Sequence, residues 1–143
     1  MNVPKIVVHT DVFLNHLYGD RHPSVLRQAM GLFFCYTTVF QAIELFAAAR
    51  TPRERNAAED AMSALKLLGL NPKNAMGYGD LFAAHPRLQP AALLVAGLCI
   101  ESRLPLLSDR GKDFKGIRGL TVIPTRRIGR GNSALDIVNV QQR

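Results

Sequence analysis

Short β-branched or aromatic runs alternate along this chain with longer stretches whose apolar residues recur every three or four positions. Lys5–Thr10 (KIVVHT) is apolar on consecutive positions, the pattern of a strand covered on both faces. Leu32–Thr38 (LFFCYTT), Leu104–Ser108 (LPLLS) and Leu120–Pro124 (LTVIP) read the same way. Between them, one or two helical turns are expected over 12–18 with Asp11 as the cap, and a short helix over 24–30, opened by Ser24 and closed by Gly31. Residues 39–50 predict a helix with an apolar stripe at Val39, Phe40, Ile43, Phe46 and Ala47. Thr51-Pro52 starts another, expected to reach Gly69, and further helices are expected over 73–84 and 90–102. Residues 109–118 read as a basic turn, and Leu135–Val140 as strand-like, either a sheet edge or a mobile tail.

Strands that alternate with helices and lack hairpin signals must be joined by crossovers, and therefore run parallel. The expected fold class is α/β, a three-layer α/β/α sandwich around a central parallel sheet of four or five strands. At 143 residues one domain suffices; it is expected over 1–124, followed by a basic extension over 125–143.

Composition narrows the function classes. Apolar residues make up 48% and charged residues 20%, which excludes a wholly disordered chain. The longest apolar run, Ala91–Ile100, is half of what a membrane-spanning helix needs, so no membrane partner is expected. The segment around Lys5 lacks the apolar core and cleavage site of a secretory signal, so a cytoplasmic location is expected. Cys35 and Cys99 sit far apart inside apolar runs, which fits reduced core thiols. The net charge of +7 is concentrated late in the chain: residues 1–109 hold 10 Lys/Arg against 9 Asp/Glu, and residues 110–143 hold 8 against 2. A local excess of this kind favours phosphate contacts and makes nucleic acid the leading partner class, with Arg110, Lys112, Lys115, Arg118, Arg126 and Arg127 as candidate contacts.

In an open parallel sheet, sites form beyond the carboxyl ends of the strands. The polar residues expected there are His9, Thr10 and Asp11, then Thr37 and Thr38, then Ser108, Asp109 and Asp113. Glu44, in the helix after the second strand, interrupts an apolar context and is expected to need a cation or donors. Carboxylates that converge from separate elements repel one another, and the usual remedy is a hard divalent cation such as magnesium or manganese. Such an ion can activate water against a phosphodiester, a chemistry that suits a basic surface.

HTDVFLNHL, TTVFQAIEL and AALLVAGLCIESRLPLLSDRGKDF followed by LTVIP resemble, in order and spacing, the signature blocks of PIN domains, in particular VapC-type toxins of toxin–antitoxin pairs. The resemblance spans residues 4–124. It implies a magnesium- or manganese-dependent endoribonuclease, commonly a homodimer held by a cognate antitoxin, with RNA as substrate. Carried over by position, it gives Glu44 and Asp113 as metal-binding acids with Asp11 assisting, and Thr38 as an orienting hydroxyl. The first acid of the pattern falls on His9, with Thr10 beside it. The third falls on Ala92, and Arg110 stands where Asn or Asp is common, so Asp109 is a possible substitute ligand. Two readings follow: a ribonuclease with a reduced or altered metal site, or an inactive PIN-like domain that binds RNA or a protein partner. A phosphoryl-accepting receiver would need an acidic pair at the first strand end, where only Asp11 is present.

Overall fold

The computed structural model describes residues 3–129 and 131–139. Strands β1 (Lys5–Val8), β2 (Phe34–Thr38), β3 (Lys66–Leu68), β4 (Leu106–Leu107) and β5 (Val122–Ile123) form a wholly parallel sheet in the order β3-β2-β1-β4-β5. Helices α1 (Thr10–Tyr18), α2 (Val25–Leu32), α3 (Val39–Ala48), α4 (Pro52–Ser63), α5 (Ala75–Ala84), α6 (Pro90–Ser102) and α7 (Ala134–Asn139) cover its faces. This is the expected three-layer α/β/α architecture. Strand alternation splits the core: Ile6 and Val8 join Val12, Phe13, Leu26, Leu45 and Leu107 on one face, whereas Val7 joins Leu93, Val95, Ala96, Cys99 and Phe114 on the other. Hence Ile6, Val7 and Val8 are apolar on consecutive positions, and only Lys5, at the start of the strand, is exposed. Both cysteines are free and buried, and burial pushes each thiol up to about 12. Among the described residues, no helix is long and apolar enough to cross a membrane.

Apart from shifted element ends, such as α2 running through Gly31 to Leu32, the structure departs from the periodicity in four places. The helix expected to reach Gly69 stops at Ser63, and Lys66–Leu68 becomes the edge strand β3, with Tyr36 paired to Lys66. Leu65 and Leu68 sit at helical spacing, and a three-residue strand whose Lys66 and Leu67 are exposed leaves no separate signature. On α3 the buried side chains are Gln41, Ala42 and Leu45, while Val39 and Ile43 are exposed. The helix is apolar nearly all round, so periodicity alone could not choose its inner face. Asp11 does not cap α1: His9 occupies the N-cap and Asp11 lies in the first turn.

The fourth departure is the C-terminal segment. Residues 134–139 are helical, not strand-like, and Ile128 and Ile137 are fully buried in the first core. Gly129 has φ +84°, and a Cβ there would overlap Gln28 Oε1, so a side-chain-free residue lets the chain turn closely past α2. The described part of 125–139 is therefore integral to the fold. Val140 and the last three residues lie outside the described residues, as does Arg130.

Candidate active site

The chain leaves β1 on one side and reaches β4 only after building β2 and β3, so the strand order reverses between β1 and β4. Ligand crevices in doubly wound sheets open at the carboxyl ends of such a pair. There a cavity of about 390 Å³ is lined by His9, Thr10, Asp11, Glu44, Ala92, Arg110, Asp113 and Phe114, among others. Its residues come from the first turn of α1, the middle of α3, the first turn of α6 and the turn after β4.

Asp11 is the most firmly held of the acids. Its Oδ1 accepts from Ser108 Oγ (3.2 Å) and His9 Nδ1 (3.1 Å), and its Oδ2 accepts from the Asp109 backbone N–H (2.8 Å). Burial raises its pKa, but the His9 and Asp109 hydrogen bonds, the His9 charge and the Ser108 hydrogen bond together outweigh that, holding it below the usual carboxylate range. A carboxylate offers about four acceptor positions, so one stays open on Asp11. Phe114 meets the His9 ring edge to face at 5.5 Å, which fixes the imidazole.

Glu44 is exposed where it lines the cavity, and among the described residues its one hydrogen-bond partner is Thr10 Oγ1, 3.4 Å away. The burial that the sequence suggested for it is absent, because α3 turns this face outward. Asp113 receives Arg110 Nε at 2.6 Å. Asp109 faces away from the cavity: Thr125 donates to it from its backbone N–H (2.8 Å) and hydroxyl (2.5 Å). It acts on the site only through its amide on Asp11. Thr125 was not among the residues expected at the site, and its one signal in the sequence is its place two positions past the end of β5.

Thr38 does not line the cavity. It is buried as the N-cap of α3, its hydroxyl accepting from the amides of Phe40 and Gln41 and donating to the Gln41 side chain. Thr37 Oγ1 donates to Val8 O across the sheet. Of the basic candidates, Arg110 lines this cavity; Arg118 lines a separate one between α5 and α6. Lys112, Lys115 and Arg126 are exposed and Arg127 is half-buried.

A family model of the PIN domain matches residues 6–120. The chain belongs to the PIN domain family. By sequence it finds no relative among curated proteins. Among solved structures, this PIN domain is similar to VapBC2 from Rickettsia felis bound to a promoter DNA fragment, with TM-score 0.74 and 15% identity over 84% of this chain and 98% of the other. DNA-bound VapBC from Salmonella typhimurium gives TM-score 0.74 and 18% identity over 85% and 98%. VapBC-5 from Mycobacterium tuberculosis, a member of a toxin–antitoxin family, gives 0.58 and 19% over 84% and 98%.

Within this PIN domain, Ala92 places only a methyl group on the cavity wall. Among the described residues, no three His, Cys, Asp or Glu side chains stand together closely enough to hold a metal ion by themselves. What the cavity offers is Glu44, one open position of Asp11 and the free oxygen of Asp113. Magnesium characteristically keeps several waters and is held by one or two carboxylates plus substrate phosphates, and this sparse donor set fits that arrangement rather than a closed protein cage.

Proposed function

We propose that this PIN domain is a toxin-type endoribonuclease whose divalent ion, magnesium or manganese, is completed by the RNA substrate. The observation that carries the reading is the convergence of Asp11, Glu44 and Asp113, from three separate elements, on one cavity at the strand-order reversal. Glu44 and Asp11 would hold the ion, with Asp113 as a third donor. When bound, it supplies Lewis acidity toward the scissile phosphate. Thr10 orients Glu44, while Ser108 and the Asp109 amide orient Asp11. Arg110, Lys112 and Lys115, on the turn that follows β4, would bind flanking phosphates.

The test is cleavage of single-stranded RNA with Mg(II) or Mn(II), set against Glu44→Gln. Metal-dependent cleavage that falls at least about 100-fold in the variant is expected, since the residue carries one of few metal contacts. A second reading, an inactive domain that binds RNA or a partner protein, is favoured by the Arg110–Asp113 pair and the methyl at Ala92. It predicts salt-dependent RNA binding without cleavage under any divalent ion.

Partners follow the neighbours by analogy. VapBC-5 is described as a member of a family of toxin–antitoxin systems, which supports a cognate antitoxin for this chain. A homodimer is also proposed: Met76 is 82% exposed, and Leu67 and Leu70 add apolar surface at the β3 edge. Light scattering that returns a monomer at micromolar concentration would contradict it.

A further inference from the structure

The turn after β4 holds its arginine in an unusual way. The Arg110 backbone is fixed, its N–H donating to Ser108 Oγ at 3.0 Å and its carbonyl accepting from the Asp113 N–H at 2.9 Å. Its side chain is not: it is 56% exposed, and the carboxylate it contacts is 32% exposed. An ion pair this open to water is weak, so it can be exchanged for a better partner. A phosphodiester is such a partner, because guanidinium binds its oxygens through two parallel hydrogen bonds. The same arginine lines the cavity together with Glu44 and Asp11. While it stays on Asp113, its positive charge occupies one oxygen of that carboxylate and repels a divalent ion.

We infer that Arg110 is an exchange switch: its guanidinium pairs with Asp113 in the RNA-free protein and passes to a substrate phosphate when RNA binds, releasing Asp113 to the divalent ion. The inference rests on the reading of the cavity as an ion site shared with RNA. It makes ion binding and RNA binding mutually reinforcing, since coupling between two sites is reciprocal. The ion then binds more tightly where substrate is present.

The experiment measures free Mn(II) by electron paramagnetic resonance in titrations of the full chain, alone and with a 2′-O-methyl RNA octamer that resists cleavage. Without RNA, Arg110→Gln should bind Mn(II) about two- to fivefold more tightly than wild type, the size of one exposed ion pair. In an Asp113→Asn background the same change should give no gain. Adding the octamer should tighten Mn(II) binding in wild type and do so less in Arg110→Gln. Unchanged or weaker Mn(II) binding by Arg110→Gln, with wild type still binding, overturns the switch and leaves the ion site standing. An equal gain in the Asp113→Asn background means through-space repulsion and also overturns it. Absence of Mn(II) binding by every variant, with and without RNA, overturns both the switch and the ion site.

Discussion

Three donors converge on Asp11, from β4's end, from the turn after it and from the neighbouring imidazole, and their combined pull decides how the residue titrates. Because its carboxyl is held below the ordinary aspartate value of 3.8, the folded state is favoured while Asp11 is ionised. That contribution is complete above pH 3.8 and is lost as pH falls through the lower, folded-state value. Asp11→Asn should therefore destabilise the protein at pH 7, with the gap to wild type closing below pH 3.8; denaturant midpoints at pH 7 and pH 3 measure it. A gap of equal size at both pH values would contradict this. The methyl of Ala92 marks the missing acid from the other wall. Ala92→Asp, in the first turn of α6 where a negative charge is favoured, should tighten Mn(II) binding by about tenfold, read by the same titration.

At this scale the sequence was partly legible. His9, Thr10, Asp11, Glu44, Asp109 and Asp113 all fall at the strand ends or in the following helix, because parallel topology leaves few alternatives. What each does there depends on partners up to 98 positions away, such as Asp109 for Asp11. Thr38 shows the opposite case. A hydroxyl at a strand end reads equally as a site residue or a cap, and the glutamine three positions on made it a cap.

Among the elements, α5 packs tightly against α6 at Gly97. A Cβ on Gly97 would run into the Tyr78 ring, which is held at its other end by a 2.8 Å hydrogen bond to Glu101. Gly97→Ala should cost about 1–3 kcal/mol by overpacking, seen as a lower melting temperature. Combining it with Tyr78→Ala should cost less than the sum of the two single changes. In the sequence, Gly97 is only an interruption in an apolar helix. Its purpose became visible with the partner helix in place. Likewise β3 was hidden inside a helical pattern, since three residues are too few to display a period of two.

Across the whole molecule, the basic C-terminal segment is both surface and core. Its arginines follow Thr125, which is tied to the Asp109 carboxylate, while Ile128 and Ile137 reach the interior. Ile137→Ala should therefore cost about 2–5 kcal/mol in chemical denaturation, whereas a mobile tail would cost nothing. Removing the segment would confound charge with stability, so the phosphate contacts are better tested with Arg126→Gln and Arg127→Gln. Each substitution that removes a phosphate-touching arginine should flatten the slope of log K against log salt for single-stranded RNA by about 0.7. Net charge revealed where the basic segment lies, and only the fold revealed that it is anchored.

The proposed position of the ion, at the meeting of α1, α3 and the turn after β4, is tested most directly by paramagnetic broadening. Mn(II) is added in small steps to isotope-labelled protein in the presence of the 2′-O-methyl RNA octamer. Amide signals of Thr10–Val12, Ile43–Leu45 and Lys112–Phe114 should broaden first and together. Broadening that begins elsewhere, for instance around Asp80 and Glu101 in the cavity between α5 and α6, would contradict an ion held by Asp11, Glu44 and Asp113.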